Sequence, residues 1–145
     1  MRLNSRGIRG TFHWGIFVTG KAPTGVLYHI TNKSGGWKLE VKTSRDVYSS
    51  MSLVLIFKIG PVSSTSTLDQ VLRGLKSDGS PSARTGEPTT CRVWVKDGLC
   101  ALHDNKVVKM SSSIDNIERE AFAIGTRLEP GVEQGGQPEI SECQS

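Results

Sequence analysis

Two histidines and one cysteine stand in segments that suit nucleophilic chemistry. His13 lies in HWGIFVTG and His29 in GVLYHIT, both short apolar segments, while Cys91 opens the segment CRVWVKDGLC. A cysteine thiolate attacks an acyl carbon, and an imidazole beside it accepts the thiol proton as a general base. The residue types therefore predict Cys91 as a nucleophile, His13 as its base and His29 as the group that orients the ring of His13.

The segments around the two histidines have the pattern of an antiparallel β-hairpin. Apolar residues recur at every second position from 11 to 18 and again from 25 to 31, and a period of two separates the two faces of a strand. The intervening GKAPTG supplies the glycine and proline of a loop, as hairpin connections require. In this hairpin one face is apolar, and we expect His13 and His29 to share the other.

The cysteine stands at the predicted start of a helix. Thr89 or Thr90 is typical of an N-cap, and apolar residues follow Cys91 at helical spacing, which predicts an amphipathic helix. At the first turn, unsatisfied backbone N–H groups and the positive end of the helix dipole favour the thiolate form. A helix packed on the hairpin would complete a Cys–His–His site, since such groups meet in space and not along the chain.

The other segments predict further strands and helices. Two more strands are expected at 37–43 and 53–59, followed by a helix in STSTLDQVLRGL that ends by Gly79. A connector rich in glycine, serine and proline, SDGSPSARTGEP, leads to the cysteine helix. The last helix is expected in IDNIEREAFAIGTRL, with Asp115 as its cap. The pattern predicts an α+β fold with a mainly antiparallel four-stranded sheet, the cysteine helix and two further helices.

The chain divides into three parts by composition. Residues 1–10 are expected to form an N-terminal arm and residues 11–128 a single domain. Residues 129–145 lack hydrophobic periodicity and are rich in glycine, glutamine and acids, which predicts a flexible tail.

Composition and charge limit the partners of this domain. Hydrophobic residues make up 36% and charged residues 22% of the 145 positions, as in an ordinary folded domain. The net charge is +4 and the pI about 9.1, but the basic residues are scattered, whereas a nucleic-acid footprint needs clustered charge. Nucleic-acid binding is therefore not expected, although an RNA-linked aminoacyl donor stays open.

Membrane, disulfide and cofactor signals are weak in this sequence. The apolar run at 52–62 is shorter than the roughly 20 residues of a membrane span, and the N-terminus lacks the apolar core of a signal peptide, so we expect a cytoplasmic protein. Three cysteines at uneven spacings predict thiols. A metal site built from His13, His29 and Cys91 is disfavoured because paired Cys-x-x-Cys or His-x-x-x-His spacing is missing, and no cofactor is expected.

The motifs together resemble a known superfamily. His-Trp-Gly-Ile-Phe-Val, then Tyr-His-Ile, then a helix-opening Cys followed by Trp-Val, are similar to the lecithin:retinol acyltransferase-like branch of the papain-like thiol hydrolases. The resemblance implies a permuted papain-like fold, with His13 as the general base, His29 as the histidine that polarises it and Cys91 as the nucleophile. The chain also resembles small fungal proteins that have a similar histidine hairpin and Cys-x-x-Trp-Val helix.

Two classes of function follow from these features. The first is a thiol enzyme, a transferase or hydrolase in which Cys91 forms a thioester with an acyl group and passes it to water or an amine. The donor is an ester, an amide, a thioester or an aminoacyl ester, and Trp14, Tyr28 and Trp94 are candidates to bind it. The second is a noncatalytic module that binds a small molecule or a protein while keeping the fold. The sequence does not indicate an oligomeric state.

Overall fold

The computed structural model describes residues 2–5, 12–21, 24–32, 35–44, 53–133 and 139–142. In chain order the elements are β1 (Arg2–Ser5), β2 (Phe12–Lys21), β3 (Thr24–Thr31), β4 (Lys38–Ser44), β5 (Leu53–Lys58), α1 (Thr65–Arg73), α2 (Cys91–Asp104), α3 (Ile114–Glu133) and β6 (Glu139–Glu142). The α+β class, with an antiparallel sheet and three helices, is confirmed.

The sheet is centred on the predicted hairpin. Strands β2 and β3 pair antiparallel with Ile16 opposite Tyr28, and β3 pairs antiparallel with β4 with His29 opposite Glu40. Among the described residues the strand order is β4-β3-β2-β1-β5-β6, and β6 runs parallel to β5. The sequence predicted four strands, whereas the described residues form six. The strands β1 and β6 were missed because each has only four residues, RLNS and EISE, without the alternation of apolar residues that marks a longer strand.

The predicted arm and tail both contribute to this architecture. Residues 2–5, within the arm, form β1 and pair with β2. Helix α3 continues past 128 to Glu133, and residues 139–142 of the tail form β6 beside β5. The backbone hydrogen bonds of a neighbouring strand add a short polar segment to a sheet without requiring apolar side chains in it.

Each of the three helices begins directly after a residue whose side chain caps it. Thr90 is the N-cap of α2, as predicted, and its side chain accepts a hydrogen bond from the backbone N–H of Val93. Ser64 caps α1 in the same way, and that helix ends at Arg73, earlier than Gly79. The prediction that Asp115 caps α3 is wrong. Ser113 Oγ accepts the N–H of Asn116, so a serine satisfies the first turn.

Helix α2 packs on β2 and β3, the strands that carry the two histidines. The apolar residues of these strands and of α2 belong to one buried core, which includes Trp14, Ile30 and Trp94. Gly98 permits the close approach, because a Cβ there would lie 3.0 Å from Ile16 Cδ1 and 3.1 Å from Leu72 Cδ2. The same glycine thus brings α2 against both β2 and α1.

Within the described ranges, no helix is both long enough and apolar enough to cross a membrane.

Candidate active site

The two predicted histidines are in direct contact. Nε2 of His13 lies 2.6 Å from Nδ1 of His29, and the ring centroids are 4.9 Å apart at an interplanar angle of 80°. His29 is buried and His13 is half-buried. The expectation that His13 and His29 share a face of the hairpin is confirmed, because side chains of adjacent antiparallel strands meet only when they project from the same face.

A carboxylate from the third strand extends this pair. Oε1 of Glu40 lies 2.9 Å from Nε2 of His29, since the two residues are directly opposite each other in the β3–β4 register. The side chain of Glu40 is 33% exposed, and Nζ of Lys42 is 3.6 Å from the same carboxylate oxygen. His13, His29 and Glu40, here called the histidine cluster, therefore form a continuous hydrogen-bonded chain across three strands.

Glu40 was missed by sequence reasoning. The segment KLEVK around it alternates polar and apolar residues, so its outward face on a strand is apparent. What the sequence lacks is the register that sets Glu40 opposite His29, which depends on the length and shape of the connection between β3 and β4. A single acidic residue on the polar face of the strand that follows a histidine strand is the signal that could have found it.

Cys91 is the first residue of α2 and is buried, with 3% of its surface exposed. Its helix packs on the apolar face of β2 and β3, where Trp14 and Ile16 belong to the same buried core as Cys91. His13 and His29 project from the other face of these strands, so the structure does not bring Cys91 onto the histidine-bearing face. The positive end of the helix dipole lies at this residue, and a developing negative charge on sulfur or on a bound carbonyl oxygen is favoured there.

Ion pairs between charged residues connect α2 to α3. Arg92 Nη1 donates to Glu118 Oε2 over 2.6 Å, and the Nζ of Lys96 is 3.0 Å from Asp115 and 3.2 Å from Glu118. The bond to Glu118 raises the pKa of Arg92, and the bond to Lys96 lowers the pKa of Asp115. Arg92, Lys96, Asp115 and Glu118, here called the helix ion cluster, hold the helix that begins at Cys91.

The connector before α2 is also tied to that helix. Ser82 Oγ donates to Asp97 Oδ2 over 2.6 Å, and Arg84 Nε donates to Asp97 Oδ1 over 2.9 Å. Thr89 Oγ1 donates to the carbonyl of Ser80 over 2.7 Å, closing the segment on itself. The glycine, serine and proline in this connector therefore form a fixed turn structure that leads into Cys91.

The three predicted substrate-binding residues lie in the core. Trp14, Tyr28 and Trp94 are 3%, 6% and 0% exposed, which favours a packing role for each. Tyr28 also donates its hydroxyl to Asp69 Oδ1 over 2.8 Å and so links β3 to α1.

The other cysteines differ from Cys91 in their surroundings. Cys100 is half-buried on α2, and burial raises the pKa of its thiol, which disfavours the reactive thiolate. Cys143 lies outside the described residues. Among the described residues, no group of three or more histidines, cysteines or acids is arranged to hold a metal ion.

No curated protein and no solved structure shows significant similarity to this chain. One family model matches residues 3–109, which run from β1 to the turns after α2 and include both histidines, Glu40 and Cys91. Since the match covers well over half of the sequence, the protein belongs to DUF6540, a family of unknown function.

Proposed function

We propose that the protein is a thiol-dependent acyltransferase or hydrolase of permuted papain-like type, with Cys91 as nucleophile and His13 as general base. The observation that carries the proposal is the 2.6 Å contact between His13 and His29. Cys91 lies at the start of the helix on the opposite, apolar face of the same strands, so the proposal requires a rearrangement that brings the thiol to His13. An imidazole held by a second polar group can activate a thiol that reaches it.

The first half of the reaction forms a thioester. His13 takes the thiol proton at Nδ1, because its Nε2 is engaged with His29. The thiolate sulfur attacks the carbonyl carbon of the donor, and the C=O electron pair moves to oxygen, where the positive end of the α2 dipole stabilises it. When the C=O bond re-forms, the leaving group departs with its bonding electrons and takes the proton from the His13 imidazolium.

The second half releases the acyl group. His13 removes a proton from water or from an amine, and the acceptor attacks the thioester carbon. The tetrahedral intermediate then expels the Cys91 thiolate, which regains the proton from His13. Water makes the protein a hydrolase and an amine makes it a transferase, while esters, amides, thioesters and aminoacyl esters all react as donors by this route.

Burial of Cys91 favours a second candidate function. With 3% of the residue exposed, an acyl donor reaches the sulfur only if covering side chains move. A noncatalytic module that binds a small molecule or a protein needs no such movement and keeps the same fold.

Covalent labelling separates the two candidates. The purified protein is incubated with a panel of esters and thioesters, and intact mass with peptide mapping locates any acyl adduct. We expect an adduct on Cys91 that Cys91→Ser abolishes, since a serine hydroxyl is a far poorer nucleophile at neutral pH. Cys100→Ser is the matched control on the same helix and should label normally. A Cys91→Ala protein that still turns over an acyl donor would end the thiol-enzyme proposal.

Labelling with an alkylating agent tests the same two candidates and does not require a known acyl donor. At low iodoacetamide concentration near neutral pH, the thiol-enzyme proposal predicts that Cys91 is modified faster than Cys100, although Cys91 is the more buried of the two, because a base would activate Cys91 alone. Equal rates at the two positions would favour the binding module.

A further inference from the structure

We propose that Glu40 is a positioning residue that fixes which nitrogen of each imidazole carries the proton. The inference rests on the proposed function of His13 as a base. It begins from the two contacts of His29, whose Nδ1 is 2.6 Å from His13 and whose Nε2 is 2.9 Å from Glu40. A neutral imidazole has one N–H donor and one acceptor nitrogen, so the partner at one nitrogen decides the role of the other.

Glu40 sets the direction of the whole chain. A carboxylate that is one-third exposed, with an ammonium 3.6 Å away, is ionised at neutral pH and only accepts hydrogen bonds. Nε2 of His29 must then be the donor, which makes Nδ1 of His29 an acceptor. The N–H in the His13–His29 contact therefore belongs to Nε2 of His13, and the lone pair of His13 is on Nδ1.

This direction is the one that a base requires. If the His13–His29 bond ran the other way, Nδ1 of His13 would carry the hydrogen and could not take a proton from a thiol. In the direction set by Glu40, the ring of His13 receives a proton at Nδ1 without any donor in the chain having to reverse. The negative charge of Glu40 also favours the resulting imidazolium through His29.

Nuclear magnetic resonance reads the proton positions directly. Long-range proton–nitrogen correlations of the histidine rings, recorded at a pH where both rings are neutral, distinguish Nδ1–H from Nε2–H. We expect both His13 and His29 to be protonated at Nε2 in the native protein. Protonation of His29 at Nδ1 would overturn the inference, and this measurement needs no variant.

The variant Glu40→Gln removes the charge and keeps the shape. Its amide can donate to Nε2 of His29 as well as accept from it, so the tautomer with His29 protonated at Nδ1 should become populated. The rate of Cys91 adduct formation should fall at least about tenfold, as for other residues that orient a reacting group. Glu120→Gln on α3 is the matched control and should change neither the tautomers nor the rate.

The outcomes separate this inference from the proposed function. Identical tautomers in the native protein and in Glu40→Gln would overturn the role of Glu40, even where Cys91 forms adducts. A native protein with the expected tautomers but an inert Cys91 would instead count against the thiol enzyme and leave the proton assignment standing.

Discussion

The histidine cluster on the sheet and the helix ion cluster between α2 and α3 are both polar, yet they differ in what their protons can do. In the helix ion cluster, a lysine and an arginine face two acids at 2.6 to 3.2 Å. In the histidine cluster, two imidazoles stand in line with one carboxylate. Histidine is the side chain whose charge changes most readily in that range.

The two clusters therefore have different roles. The helix ion cluster stabilises the position of α2, and the histidine cluster is proposed to react with the cysteine at the start of that helix. Fixed opposite charges stabilise one arrangement, because removing either partner leaves the other poorly compensated. A chain of imidazoles instead accepts a proton at one end while its donors and acceptors keep their places. The comparison predicts that substitutions in the histidine cluster change reaction rates, and that substitutions in the helix ion cluster change the free energy of unfolding.

The largest effect is expected from His13→Ala. Loss of a positioned general base typically costs on the order of 100-fold in rate, so adduct formation at Cys91 should fall by about that factor. His29→Ala should cost less, since it only orients the ring of His13. The rates are measured by intact mass over time, with Lys96→Met as the control from the other cluster. An unchanged rate in His13→Ala would remove the histidine cluster from the reaction.

The next effect is on stability and comes from Glu118→Ala. Glu118 contacts both Arg92 and Lys96, and the Lys96 side chain is only 8% exposed, so its loss should cost about 2 kcal/mol of unfolding free energy. Lys96→Met should cost less, because it keeps an apolar stem and leaves Asp115, which is 69% exposed, to water. Urea unfolding measures both. A larger loss in Lys96→Met than in Glu118→Ala would contradict this account of the cluster.

The two clusters were also unequally predictable from the sequence. The histidine pair could be predicted because strand alternation and the loop between β2 and β3 are local signals. The start of α2 could be predicted for the same reason, since Thr90 and the apolar residues after Cys91 lie within one short segment. Local patterns carry this information because backbone geometry fixes which neighbours share a face.

Contacts that depend on register or on packing between helices were not predictable. Glu40 required the β3–β4 register, and the Lys96–Asp115 pair required the arrangement of α2 beside α3. Asp115 was assigned to capping because its position near the helix start fits that role, while the structure uses Ser113 for the cap and Asp115 for Lys96. Competing local roles of this kind are decided by the tertiary fold.

The smallest effect is expected at a polar contact that belongs to neither cluster. Tyr28 donates to Asp69 over 2.8 Å, and Asp69 also accepts from Arg73. Tyr28→Phe should therefore cost about 1 kcal/mol of unfolding free energy, the value of one hydrogen bond whose acceptor keeps another partner. It should leave the rate of Cys91 adduct formation unchanged, because the hydroxyl that is removed bonds to Asp69 on α1 and not to the histidine cluster. A fall in that rate would link the core to the histidine cluster.

The pH dependence of this contact has a definite sign. Burial and the bond to Asp69 raise the pKa of Tyr28 from 10.0 to about 12, so folding favours the protonated hydroxyl. The stability that Tyr28 contributes is complete below pH 10.0 and is lost as the pH rises through about 12. Urea midpoints measured across that range should therefore fall more steeply for the native protein than for Tyr28→Phe. Parallel curves would mean that the hydroxyl of Tyr28 titrates as it does in the unfolded chain, and the contact with Asp69 would then contribute nothing to stability.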